Sequence, residues 1–182
     1  MIRPIFPLAQ RWAFCASVLL LMQCSKGKPN DPAPVDQLPP ATQTGAGTFG
    51  CLVNGQVYMP KGNVGMTNFA VLYEPGPQGA NLNIITYRLD GRYQDLNLYC
   101  GLITLQKRTF IIGLPATEAS GVYTGPVGDY RNENDLTYRR GRIVLTRVDE
   151  QAGVLAGTFE FTSVNTKGDT LKITQGRFDS KL

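Results

Sequence analysis

The chain has 182 residues, enough for one domain with a real hydrophobic core but not comfortably for two. Its 18 Lys and Arg against 14 Asp and Glu give a formal charge of +4, too small to argue for nucleic acid as a partner. It contains no histidine, which removes Ser-His-Asp and Cys-His arrangements and any His-containing zinc site.

Residues 1–23 read as a signal peptide. A basic opening with Arg3 and Arg11 precedes the apolar run from Trp12 to Met22. That run is about half the roughly 20 residues needed to span a bilayer, so a signal-peptide core fits better than a transmembrane helix. It ends in Leu20-Leu21-Met22-Gln23-Cys24-Ser25, which resembles a bacterial lipobox, whose cysteine receives the lipid after cleavage. Leu21 fits that pattern; Gln23 departs from the usual Gly, Ala or Ser, as in the looser lipoboxes of Bacteroidota-type lipoproteins. A simple signal peptide with an incidental cysteine is the alternative, and Cys15 is a poor rival because it lies inside the apolar run. Loss of the leader removes Arg3 and Arg11, lowering the charge from +4 to +2, and takes away Trp12, the only tryptophan.

Residues 24–47 follow as lipid anchor and tether. Pro29, Pro32, Pro34, Pro39-Pro40 and Gly45-Ala46-Gly47 make a weakly apolar stretch expected to stay extended and flexible. Several acyl chains on one cysteine anchor stably where a single chain does not. The layout predicts a lipoprotein of the bacterial outer membrane, on its periplasmic or surface face.

The body, 48–182, shows no long helical periodicity. Short β-rich runs near 48–53, 56–60, 68–74, 81–88, 92–101, 107–113, 120–125, 141–150, 154–164 and 169–178 are punctuated by Gly, Asn-Gly and Asp-Gly. This predicts an all-β domain, a single antiparallel sandwich or meander barrel built of consecutive hairpins. Three-residue loops ending in glycine fix the expected registers. Leu89-Asp90-Gly91 sets Leu82 against Leu98 and Ile84 against Leu96. Gln151-Ala152-Gly153 sets Leu145 against Phe159 and Ile143 against Phe161, and Thr166-Lys167-Gly168 sets Phe161 against Ile173 and Ser163 against Leu171. All three then turn apolar sets to one interior, with Thr158, Glu160, Thr162, Lys172 and Thr174 on a wet face.

Cys51 and Cys100 remain in the body, in an oxidising compartment if the chain is exported. Cys100 shares the inward face of Leu96 and Leu98. A two-residue Asn54-Gly55 turn pairs Cys51 with Tyr58; a Val53-Asn54-Gly55 loop instead groups it with Phe49, Val57 and Met59. On the second register the thiols meet in the core, and a bridge closing this loop of about 50 residues contributes roughly 4 kcal/mol in the chain-entropy model. Two separate buried thiols are the equal alternative.

No Walker loop and no Gly-x-Gly-x-x-Gly between strand and helix is present. A carboxylate-only hydrolase needs two acids about 5 to 10 Å apart, and the candidates are Glu118, Asp129, Glu133 and Asp135. Asp129 to Asp135 resembles an acidic calcium loop but lacks its Asp-x-Asp-x-Asp-Gly order and closing Glu. Arg139, Arg140 and Arg142, with Arg131 and Arg147 nearby, read as a solvated loop and strand edge. Tyr58, Tyr73, Tyr87, Tyr93, Tyr99, Tyr123, Tyr130 and Tyr138 suit a barrel wall with hydroxyls at the rim, or the stacking of sugars. Asp169-Thr170-Leu171 resembles a short O-glycosylation signal of Bacteroidota envelope proteins, though here it opens a strand.

Two stretches carry a wider resemblance. Thr48-Phe49-Gly50-Cys51-Leu52-Val53-Asn54-Gly55 follows the tether, and Gly157-Thr158-Phe159-Glu160-Phe161-Thr162 leads through Asn165, Gly168 and Ile173-Thr174 to Gly176-Arg177-Phe178-Asp179. Together they resemble a family of uncharacterised Bacteroidota lipoproteins with an all-β domain of unknown function, over about 48–179 and weakly in the middle. The resemblance implies an envelope lipoprotein and supplies no activity or site residues. The expectation is a non-enzymatic binding or interaction module, monomeric, without cofactor or metal, held to the membrane through Cys24. A calycin-like carrier of a small apolar ligand is the alternative, and a carboxylate-dependent hydrolase the least favoured.

Overall fold

Alternation of apolar and polar side chains dominates the body, and β-strands follow from it. The computed structural model describes residues 32–182 apart from Leu105 and Thr117, of which Ala33–Leu182 form one compact unit. The strands are β1 (Thr48–Val53), β2 (Gln56–Tyr58), β3 (Phe69–Glu74), β4 (Ala80–Asp90), β5 (Arg92–Ile103), β6 (Thr109–Ile112), β7 (Ala119–Gly125), β8 (Gly128–Asp129), β9 (Leu136–Asp149), β10 (Val154–Asn165) and β11 (Thr170–Lys181). They form one sheet in the order β2-β1-β11-β10-β9-β6-β7-β5-β4-β3, with β8 beside β7. The domain is all-β, as expected, and the sheet curls into a half-barrel. Its two ends approach each other. Lys61 bridges to Arg88 beyond the end of β3, the Phe49 and Phe69 rings lie 5.6 Å apart, and the Tyr58 and Thr86 hydroxyls are 3.0 Å apart.

Consecutive hairpins do not account for the whole sheet. β5 pairs directly with β7, while β6 is inserted between β7 and β9, running parallel to β7 at Ile112 and Ala119. Strand β8 and the first residues of β9, 136–140, lie outside the expected strands.

The registers separate by loop. The Thr166-Lys167-Gly168 hairpin is as expected, with Phe161 opposite Ile173 and Ser163 opposite Leu171. The other two differ by two residues. Gly91 alone separates Asp90 from Arg92, so Leu82 meets Cys100 and Ile84 meets Leu98; Asp90 stays in the strand, ion-paired to Arg88 and Lys61. In the β9–β10 hairpin Asp149 faces Val154, one residue off, and an irregularity between Arg147 and Leu145 adds another. Leu145 therefore faces Gly157, and Ile143 faces Phe159. Even slips leave each side chain on its own face, so the apolar sets still share one interior.

Glycines explain these registers. Gly157 leaves room for the Phe178 ring, Gly176 for Phe159, and Gly141 and Gly121 for Phe161, since a Cβ at any of them would overlap its phenylalanine. The irregularities of these ladders adjoin Gly157 and Gly176. The stretches that carry the family resemblance are adjacent strands: Thr48 faces Asp179, Phe49 faces Phe178 and Gly50 faces Arg177.

The folded unit also begins earlier than residue 48. Leu38 is buried, and Asp179 accepts hydrogen bonds from the Thr42 hydroxyl (2.6 Å), the Thr44 amide (2.8 Å) and the Gly45 amide (2.7 Å). Composition alone predicted a flexible tether over 24–47. The correction concerns its later part, where one buried carboxylate on β11 fastens a stretch that has little apolar surface of its own.

Candidate functional site

Cys24 lies outside the described residues. Cys51 and Cys100 are both buried free thiols of the same core. The Asn54-Gly55 turn has two residues, both with positive φ (48° and 81°). It sets Cys51 opposite Tyr58, the first of the two registers considered. Burial pushes the Cys51 thiol up, and burial likewise pushes that of Cys100 up to about 12, so neither is poised as a nucleophile.

The four candidate acids are each held by their own partner. Glu118 pairs with Arg108 at 3.0 Å, Asp129 with Arg131 at 2.8 Å, and Glu133 with Arg139 at 3.0 Å. Asp135 accepts from the Asn132 amide at 3.0 Å. The Arg131 hydrogen bonds hold the Asp129 carboxyl below the usual range. Among the described residues no three His, Cys, Asp or Glu side chains gather as a metal would require.

Arg139 corrects the view of the arginine cluster as wholly solvated. It is 3% exposed and lies where β9 runs beyond the end of β6. Its guanidinium donates to the Ser120 hydroxyl, the Glu133 carboxylate and the Tyr130 carbonyl. This buried cation bridges the gap between β7 and β9. Arg140 and Arg142 remain on the surface.

The interior is filled: Tyr58, Tyr123, Tyr130, Phe110, Leu82 and Ile84 are all under 2% exposed. At the barrel mouth a cleft of about 230 Å³ lies between Val53, Val57, Tyr58, Arg88, Gln94, Tyr123 and Val127. Tyr58 and Tyr123 close its floor, the latter donating to Gln94 at 3.1 Å. A cleft of about 320 Å³ lies over β9, β10 and β11, beside the Arg142–Glu160 ion pair of 2.7 Å.

The strongest candidate is the outer face of β3, β4, β5 and β7. Pairing builds it in rows: Leu72, Asn83, Tyr99 and Ser120; then Ala70, Ile85, Asn97 and Val122; then Tyr87, Asp95 and Thr124. Leu72, Ile85 and Tyr99 are each more than 40% exposed, an apolar and aromatic group on the side expected to be wet. A cleft of about 260 Å³ opens among Asn83, Ile85, Asn97, Tyr99, Ser120 and Val122. Next to it, Asp95 is buried and its Oδ1 has no hydrogen-bond partner. Burial raises this carboxyl, Asp129 adds to the effect and Arg131 opposes it.

Sequence reasoning missed this face. The signal was present: Ile85 between Asn83 and Tyr87, and Tyr99 beyond Asp95 and Asn97, place bulky side chains at the outward positions of two neighbouring strands. Among the described residues, no helix is long and apolar enough to cross a membrane. Comparison with family models, with curated proteins and with solved structures found no match.

Proposed function

We propose that the chain is a cell-envelope lipoprotein, exported by its leader and anchored through Cys24 to the outer membrane, whose body is a non-enzymatic binding module. Its working surface is the outer face of β3, β4, β5 and β7. The observation that carries the proposal is the exposed Leu72–Ile85–Tyr99 group beside an open cleft, while the barrel interior is packed with side chains. Acids already engaged, three by arginines and Asp135 by the Asn132 amide, weigh against a carboxylate hydrolase. A filled interior weighs against carriage, which needs an enclosed cavity of several hundred Å³; only the mouth cleft speaks for it.

The test is an NMR screen of the full chain against peptides, saccharides and fatty acids. Ligand-induced shifts are expected at Asn83, Ile85, Asn97 and Tyr99. Shifts confined to Val53, Val57 and Tyr58 would replace the module with a carrier. For the anchor, Cys24→Ala is expected to free the protein from membranes, and unchanged membrane association would refute it.

A further inference from the structure

Three properties of the outer cleft narrow the chemistry of its ligand. The lining (Asn83, Ile85, Asn97, Leu98, Tyr99, Ser120 and Val122) carries no formal charge, Asp95 beside it is buried, and the Arg139 guanidinium that reaches Ser120 is paired with Glu133. An anionic or cationic ligand therefore finds no exposed counter-charge in the lining itself.

Polar capacity remains unused. The Asn83 side chain has no protein partner among the described residues. Among the described residues Asn97 uses only its Oδ1, which accepts from the Thr86 amide at 3.1 Å, and its amide N–H groups have no protein partner. The Ser120 oxygen accepts from Arg139 and leaves its own O–H free. Tyr99 donates to Asn81 at 3.0 Å and keeps an acceptor lone pair. Asn83 faces Tyr99 across the β4–β5 pair, so Asn83 and Asn97 lie on a cross-strand diagonal, about 7–8 Å apart.

The remaining surface is apolar: Ile85, Val122 and the exposed Tyr99 ring. A purely apolar ligand would strip water from these amides and hydroxyls and leave them unpaired. At the cleft itself a peptide strand has no edge to join, because β4 and β5 are both paired on each side and the sheet edge lies one strand away at β3. The complement of an uncharged, amphipathic cleft is a molecule with a C–H face and a rim of hydroxyls.

We infer that this cleft is a subsite for a neutral saccharide, a pyranose ring lying over Ile85, Val122 and Tyr99 with its hydroxyls on Asn83 and Asn97. This rests on the outer-face proposal above and gives it a ligand class.

The experiment titrates the full chain with neutral gluco-, manno-, xylo- and galacto-oligosaccharides and with an anionic oligogalacturonate, read by calorimetry and NMR. At least one neutral series is expected to bind, with shifts at Asn83, Asn97 and Tyr99 and an affinity insensitive to salt. Asn83→Ala, which breaks no internal bond, should weaken binding about three- to ten-fold, the worth of one hydrogen bond. Asn97→Ala and Tyr99→Ala should do the same or more, and Tyr99→Phe should retain most of the affinity. Absence of binding by all four neutral series would overturn the inference, as would unchanged affinity in Asn83→Ala and Tyr99→Ala, or preference for the anionic sugar. Peptide-induced shifts at these residues with no saccharide binding would remove the sugar and keep the outer face. Saccharide shifts at the mouth cleft would remove both.

Discussion

Two buried carboxylates stand in opposite circumstances. Asp179, 1% exposed on β11, accepts from Thr42, Thr44 and Gly45. Asp95, 8% exposed on β5, has an Oδ1 with no hydrogen-bond partner among the described residues. Burial is the largest single influence on each and pushes both carboxyls up. At Asp179 the hydrogen bonds together outweigh it, and the carboxyl ends below its ordinary 3.8; at Asp95 nothing outweighs it, and the carboxyl ends above. Burial pushes both carboxyls up and the outcomes differ in sign, because only Asp179 has hydrogen bonds to oppose it. The β1–β11 seam uses its carboxylate to fasten the chain. The outer face keeps one unsatisfied beside the proposed binding cleft.

Asp179→Ala is the sharpest way to break this contrast and carries the largest expected effect. It removes four charge-assisted hydrogen bonds, from the Thr42 and Thr44 hydroxyls and the Thr44 and Gly45 amides, and should cost about 3 kcal/mol in urea unfolding at pH 7. Amide exchange across residues 42–46 should accelerate with it. A depressed carboxyl stabilises above its unfolded value and loses that contribution as pH falls through the folded value. The deficit of the variant should therefore shrink once pH drops below 3.8. Unchanged exchange over 42–46 would mean that this segment is held by something else.

Asp95→Asn should act the other way. At pH 7 the folded protein holds a carboxylate with an unpaired oxygen, and replacing the charge with a neutral amide should stabilise by about 1 kcal/mol. A raised folded value means that protons are bound more tightly in the folded state, so the penalty grows as pH rises through that value. It vanishes below 3.8, where the side chain is protonated in both states. The gain from Asp95→Asn should shrink accordingly on acidification. Arg131 and Asp129 face this carboxyl from beside β8, and their opposing charges keep the effect modest. A loss of stability at pH 7 would show that Asp95 is satisfied after all.

The same contrast marks what the sequence discloses. Alternation is local, so strand positions and inward faces were legible from Leu82, Leu98, Ile143 and Phe161. The Gly168 hairpin was legible too, because Asn165 builds the loop by accepting from the amides of Lys167 and Asp169. Registers at Gly91 and Gly153 were not. They depend on ion pairs at Asp90 and on glycines that leave room for Phe159, Phe161 and Phe178 from other strands. Both errors were even, which preserved the faces. Arg139 and the segment at Thr42–Gly45 escaped for the same reason: long-range partners bury polar residues that composition alone assigns to solvent. Two buried free thiols likewise depended on a turn type that two readings of Asn54-Gly55 left open. The outer-face cleft was visible only as Ile85 and Tyr99 at positions that should be polar.

Thr42→Val tests the seam with the smallest perturbation. It removes one hydroxyl donor, at 2.6 Å from Asp179, and leaves the amides of Thr44 and Gly45 in place. The expected cost is about 1 kcal/mol, less than that of Asp179→Ala because the Thr44 amide and hydroxyl and the Gly45 amide still satisfy the carboxylate. The informative quantity is the coupling between the two substitutions. Once Asp179 is alanine the Thr42 hydroxyl has lost its acceptor, so adding Thr42→Val should cost almost nothing more. Strict additivity would mean that Thr42 stabilises the protein without reference to Asp179. The seam would then hold its N-terminal segment by packing at Leu38, and the difference between the two carboxylates would no longer explain why this segment is bound.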